Sequence, residues 1–305
     1  MSTGSIAALS KTGVPRRIVA RTTQRGVALA IVVWFIAGMS LLVAGIVSHA
    51  RVDTRMAQLH VARAKAAAAG DGAIQLMMAD VVTGKIDASG GQDLPSGVYR
   101  MGELEVVVTL VPTSGLINLN RASVDILAAL FVIAAQLDPA PAQTLADNVI
   151  KWRSMGASSP DSSPRNSRFA AMEDLLRVDG VDRTLLDAVR DYVFAGMPSR
   201  RGENWSLAPE VVLAVIRKID PQKADAILQY RSRLSGRSTE RGEGVGGGLS
   251  LGGGSYRADA VVHYGDRTWL RRRWVSGGSE ASSLLPWRIV RTEGPRVVNA
   301  GVTDG

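Results

Sequence analysis

The sequence predicts an α+β protein: one long N-terminal helix, then an antiparallel sheet that an all-helical segment interrupts. Three observations predict it. The chain opens with an apolar run of membrane length. Short alternating runs of β character occur in two separate groups, one around Met101 and one beyond Gly254. Between them, from Gly115 to about Arg233, the apolar spacing turns helical.

Composition narrows the chemistry. With 305 residues, 46% of them hydrophobic and 21% charged, the chain is long enough for two domains with appendages. It contains no cysteine, which excludes disulfide frameworks, thiolate zinc sites and cysteine nucleophiles. The three histidines, His49, His60 and His263, share no metal-ligand spacing, which argues against hydrolysis on an imidazole-bound metal. The net charge of +8 is unevenly placed. Residues 1–26 hold Lys11, Arg16, Arg17, Arg21 and Arg25 and no acid, so only +3 remains for the other 279 residues. The basic excess is mostly a short tail, not the stripe a nucleic-acid surface needs.

From Val27 to Ser48 the sequence runs 22 residues without a charge. A helix rising about 1.5 Å per residue would span roughly 33 Å over this stretch, enough to cross a hydrocarbon core of about 30 Å. Val27, Ile31, Trp34 and Ser48 mark this predicted membrane helix. The basic residues before it orient the N-terminus toward the cytoplasm and the remaining chain outward. The run exceeds the apolar stretch of a cleaved secretory signal. Beyond it Val52, Met56, Leu59 and Ala66 recur at helical spacing, with no proline before Pro95. The predicted helix therefore covers 27–83, and Gly70-Asp71-Gly72 offers a place to bend it.

Residues 84–114 begin in a turn-rich stretch and continue as the first part of the sheet. Two runs, Gly97 to Met101 and Glu103 to Val111, form a hairpin about Gly102, and Pro112 ends the second. Residues 115–235 read as a helical domain containing a weak repeat. Asn118 to Leu127 parallels Asn204 to Leu213, Leu137-Asp-Pro parallels Ile219-Asp-Pro, and Ile150-Lys-Trp-Arg-Ser154 parallels Leu228-Gln-Tyr-Arg-Ser232. Ser123 is the predicted N-cap of the first copy, and Leu207-Ala208-Pro209 takes that place in the second. Between the copies, the stretch from Phe169 reads as helix, tight turn at Gly180, helix.

Residues 236–255 are predicted to be a flexible connector, with nine glycines between Gly236 and Gly254. Gly242 to Gly247 fits G-x-G-x-x-G, but lacks the preceding strand and following helix that a dinucleotide site requires. Residues 256–294 supply the remaining strands, Tyr256 to Tyr264, Thr268 to Ser276 and Trp287 to Thr292, and 295–305 reads as a disordered tail. No G-x-S-x-G, Walker loop or H-E-x-x-H occurs, and no catalytic set is predicted.

The basic leader ending Arg25-Gly26, followed directly by Val27-Ala28-Leu29-Ala30, resembles the type III signal of pilins and pseudopilins. The resemblance implies cleavage by a prepilin peptidase between Gly26 and Val27, methylation, and retention of the apolar helix in a filament core. It also implies that the sheet is pilin-like. Two departures stand out. The mature chain would begin with Val27 where the family usually has Phe or Met, and Ile31 stands where most members carry Glu. In the family that Glu is held to pair with the N-terminal amine of a neighbouring subunit within the membrane. A buried carboxylate without such a partner is expensive, so a subunit with no neighbour on that side gains nothing from it.

An apolar residue at that position, within RGVALAIVVWFIAGMS, is similar to the K-type minor pseudopilin of type II secretion systems. That subgroup inserts a helical domain into the pilin-like sheet, and Gly115-Leu-Ile-Asn-Leu-Asn120 looks like its junction motif. The implied role is to cap the pseudopilus tip and initiate its assembly, supporting export of folded proteins across the outer membrane. The bulk of the insert would block another subunit from stacking above it. The implied partners are I- and J-type minor pseudopilins, the major pseudopilin, a prepilin peptidase and inner-membrane lipids, with no nucleic acid. The implied location is the inner membrane, crossed once, with the body in the periplasm.

Homologous tip subunits are associated with calcium. Oxygen ligands are available at Asp161-Ser-Ser-Pro-Arg-Asn166 or at Asp179, Asp182 and Asp187, but solvated turns are the favoured reading and no metal residue is assigned. Two alternatives stay open. A membrane-anchored helix-hairpin-helix protein would capture DNA during uptake, although 15 basic and 14 acidic residues between 115 and 233 leave no basic surface. A type IV pilus minor pilin would share the leader but retain an acid where Ile31 stands.

Overall fold

A computed structural model describes residues 25–86, 94–154, 168–196, 204–240, 254–278 and 285–298. The chain forms two compact units, Met1–Leu59 and His60–Gly305. Helix α1, Arg25–Val82, belongs to both.

In the first unit, the residues of α1 from Val27 to Met56 are exposed. Trp34, at 82% exposure, is the extreme. The helix runs unbroken through Gly70-Asp71-Gly72. Gly70 serves close packing: a Cβ there would lie 2.7 Å from Arg271 Cβ, so the missing side chain is what lets the helix approach a strand.

In the second unit, strands β1 (Ser96–Met101) and β2 (Leu104–Pro112) form the expected hairpin. Gly102 adopts φ +62°, a left-handed conformation that glycine takes without steric penalty. The chain then leaves the sheet through a 3-10 turn, Thr113–Gly115, and a short strand β3, Ile117–Asn118. Helices α2 (Val124–Ala134) and α3 (Pro139–Ser154) follow. Next come a 3-10 turn at Met172–Arg177, helix α4 (Arg183–Val189) and strand β4 (Val193–Phe194). A 3-10 turn at Trp205–Leu207 leads into α5 (Glu210–Ile219) and α6 (Pro221–Glu240).

The chain returns to the sheet as β5 (Ser255–Tyr264), β6 (Arg267–Gly277), β7 (Trp287–Thr292) and β8 (Arg296–Val298). The sheet order is β1-β2-β5-β6-β7, and β8 also pairs with β6. Because β5 lies antiparallel beside β2, everything between them is an insertion into one sheet. The protein is thus α+β, with a long N-terminal helix and an antiparallel sheet.

Strand alternation gives this sheet two faces. Val106, Val108 and Leu110 of β2 and Ala258, Ala260 and Val262 of β5 pack with Ala66, Ala69, Ala73, Ile74, Met77, Met78 and Val81 of α1. These helix positions recur every three or four residues, a single apolar stripe. Full burial of each large side chain among them contributes about 1.5–3 kcal/mol. The opposite face contributes Val111 and Trp274 to a second core, formed mainly by the insert.

Several boundaries differ from expectation. The region after Phe169 is a 3-10 turn, Met172–Arg177, at whose start Asp174 accepts from the Ala170 and Ala171 amides. The predicted turn at Gly180 is present, with φ +84°. Helix α6 continues through Gly236 to Glu240, so the connector begins later than composition suggested. The G-x-G-x-x-G match at 242–247 lies outside the described residues. The predicted disorder beyond Pro295 is corrected by β8, where Arg296, Val297 and Val298 pair with Leu270, Trp269 and Thr268. Residues 299–305 lie outside the described residues.

Candidate functional site

The sequence marked Gly26, Val27, Ile31, Trp34 and Ser48 as functional, and the structure places them all on α1. Val27 and Ile31 are each 63% exposed, and Ser48 is exposed as well. The helix is a candidate membrane span, with mean hydropathy 2.6 over its most apolar window and none of that window buried in the chain. A helix apolar on every side has no solvated face and requires an apolar surround. Ile31 and its neighbours therefore form an exposed apolar surface.

A second arrangement was not legible beforehand. Strand β6 carries three consecutive arginines, Arg271, Arg272 and Arg273, whose side chains must point to alternate faces. On the α1 face, Arg271 donates from Nε and Nη2 to the two carboxylate oxygens of Asp71 at 2.7 and 2.9 Å. Arg273 reaches the same carboxylate at 2.6 Å. On the other face, Arg272 forks onto Asp259 at 2.6 and 2.9 Å and donates to Asp191 at 2.7 Å. Asp191 lies just beyond α4 and also accepts from Arg296 at 2.9 Å, while its carbonyl accepts from Arg257. Glu293 completes the array by accepting from Trp274 Nε1 at 3.0 Å and Arg190 at 2.9 Å.

Bidentate guanidinium–carboxylate pairs fix geometry as well as charge. Burial alone would push the Asp259 carboxyl up, but Arg257 and Arg272 beside it hold it below the usual carboxylate range. Asp191 behaves alike: burial opposes ionisation, and Arg272, Arg296 and Arg257 overcome it. Strand β6 thus clamps α1 on one face and the insert on the other. The sequence signal was the charged triplet inside an otherwise apolar strand, which the alternation rule could have assigned to two faces.

In the insert the two copies of the sequence repeat make comparable local contacts. In the first copy, Asn118 Oδ1 accepts from the Asn120 amide at 2.9 Å, and Ser123 caps α2 through the Ile126 amide. In the second, Asn204 Oδ1 accepts from the Ser206 amide at 3.2 Å, with Pro209 at the N-cap of α5. Each copy closes with an arginine from its second helix turned onto carbonyls of its own loop. Arg153 donates to Leu119 O at 2.8 Å and Ala122 O at 2.7 Å. Arg231 donates to Ser206 O at 2.6 Å, and also to the carbonyls of Trp205 and Ala208. Arg153 and Arg231 thus hold the two loops in the same manner.

Between insert and sheet lies a cavity of about 400 Å³, walled by Val107, Val111, Val261, Leu270 and Tyr192, with Asp259 among its lining groups. Its buried ionic groups, Arg257, Asp259 and Arg272, hold one another. Of the acids suggested as calcium ligands, 161–166 lies outside the described residues. Asp182 caps α4 through the Leu185 amide at 2.7 Å, and Asp187 pairs with Arg183 and Arg190. Among the described residues no three His, Asp or Glu side chains converge to hold a metal ion.

The fold and these surfaces define an α+β chain with a candidate membrane-spanning helix and a clamped helical insert. No protein-family model and no curated protein matches it. Among solved structures it is similar to a chain of the GspK-GspI-GspJ complex from the enterotoxigenic Escherichia coli type 2 secretion system. The TM-score is 0.46 and the identity 14%, over 81% of this chain and 99% of that one.

Proposed function

We propose that this chain is a minor pseudopilin of a type II secretion system. In this reading a prepilin peptidase cuts between Gly26 and Val27, and the released helix stays in the inner membrane with the body in the periplasm. From there it enters a pseudopilus tip beside I- and J-type minor pseudopilins, above the major pseudopilin.

The observation that carries the reading is the uncharged, exposed stretch of α1 from Val27 to Ser48 in a helix whose later turns pack on an antiparallel sheet. Such a stretch gains its burial outside its own chain, in lipid or among partner helices. The five basic residues before it favour a cytoplasmic leader. Ile31, neutral where a carboxylate would need a neighbour's amine, favours the tip over the shaft.

The DNA-uptake alternative draws less support. Arg153 and Arg231, the arginines of the two hairpin units, are spent on internal carbonyls and are unavailable to phosphates.

Co-expression with a prepilin peptidase, followed by intact-mass measurement, tests the proposal. Loss of residues 1–26 is expected. Gly26→Leu should block processing and Gly26→Ala should weaken it less, because the family's peptidase accepts small residues. An unchanged N-terminus in the wild-type chain would overturn the reading. Copurification with I- and J-type minor pseudopilins is the companion measurement for the tip assignment.

A further inference from the structure

The two copies of the helical unit differ at one surface. In the first, an extended segment of the chain lies against α3. Phe169 of that segment stacks on Trp152, with ring centroids 4.5 Å apart and planes 16° from parallel. The Asn120 side chain clips the same residue by its backbone: Nδ2 donates to Phe169 O at 3.0 Å, and Oδ1 accepts from Phe169 N at 2.8 Å. Phe169 is left 1% exposed.

In the second copy Tyr230 precedes the latch arginine Arg231 as Trp152 precedes Arg153. Tyr230 is 53% exposed, and among the described residues no ring stacks on it. Three residues on, and so on the same face of α6, Arg233 is exposed and makes no ion pair among the described residues. Ser206 replaces Asn120 and turns its hydroxyl to Asn204 Oδ1 at 2.6 Å, so the backbone clip is missing while the aromatic platform remains.

We infer that the second copy docks an extended segment of a partner protein, with an aromatic side chain stacked on Tyr230 and a nearby carboxylate on Arg233. The first copy shows the mode of occupancy, an aromatic ring flat on the helix residue before the latch. The free guanidinium supplies the charge preference. An exposed aromatic beside an arginine is also the composition that dominates binding hot spots. The site lies on the insert and does not depend on how the apolar helix is used.

The segment that fills the first copy is a ready probe. It reads Arg168-Phe169-Ala-Ala-Met-Glu173-Asp174-Leu175, an aromatic followed by two acids. A fluorescent peptide of this sequence is titrated against the full chain in detergent micelles and followed by anisotropy. Saturable binding is expected, weakened at least about tenfold by Tyr230→Ala or by replacing the peptide's phenylalanine with alanine. Tyr230→Phe should retain binding, and Arg233→Gln should weaken it and reduce its salt dependence. No binding up to about 1 mM peptide, or equal binding to wild type and Tyr230→Ala, would overturn the inference. Self-association of the chain that is lost in Tyr230→Ala, without peptide binding, would overturn it in favour of a second copy as the occupant.

Discussion

Helix α1 meets two different environments. From Val27 to Met56 its side chains are exposed, including Val33, Phe35, Leu41 and Ile46. From Ala66 to Val81 every third or fourth residue is buried against the sheet, and the buried set is rich in alanine and methionine. The later turns pair a narrow apolar stripe with polar positions such as Asp71 and Gln75, each hydrogen-bonded to the sheet. The earlier turns have no polar side to show to water. A helix built to pack within its own chain needs such a stripe, whereas one built for a membrane or a bundle core can be apolar throughout.

The largest effect that would break this contrast is a core truncation. Ile74→Ala should cost the folded head about 2–5 kcal/mol. Ile36→Ala, in the exposed half, should leave head unfolding unchanged. Denaturant titration of both variants in micelles, read by tryptophan fluorescence, compares them directly, and equal losses would erase the distinction.

A smaller effect sharpens it. Gly70→Ala places a Cβ against the Arg271 side chain and should cost about 1–3 kcal/mol through overpacking, seen as a lowered Tm. Gly38→Ala meets nothing within 4 Å and should leave the Tm unchanged.

The smallest effect over ordinary conditions is that of pH. Asp191 and Asp259 titrate below the usual carboxylate range in the folded state, so their contribution is fully present above the unfolded value of about 3.9. It is lost as pH falls through the lower folded values. Head stability should therefore be insensitive to these two groups between about pH 5 and 8 and should fall below about pH 4. Asp191→Asn should flatten that acid limb. The helical signal of residues 27–48, which hold no ionisable group, should persist throughout.

Much of the fold was legible because it rests on local pattern. The apolar run, the alternating β2, the Gly102 hairpin, the Ser123 cap and the doubled Asn-loop motif each carry their own signal. Asp71 and Asp191 did not, because their arginine partners on β6 lie far away in sequence and nothing near Asp71 announces Arg271. The close packing at Gly70 was hidden for the same reason, because close approach depends on what passes overhead. The strand at Arg296–Val298 was missed because three residues give no period to read. The apolar surface could be found from sequence because it is a continuous run, whereas the clamp left only its arginine triplet as a local trace and its pairings join distant residues.

Strand β6 also sets a clock on folding. Its arginines secure both the first helix and the insert, yet they are translated after almost everything they secure. A nascent chain ending before Ser255 would leave the alanine–methionine stripe of α1 without its β5 and β6 cover, whatever the state of the helical unit. The stripe is therefore covered only once the C-terminal strands are complete, and a truncated product would leave that apolar surface open to aggregation.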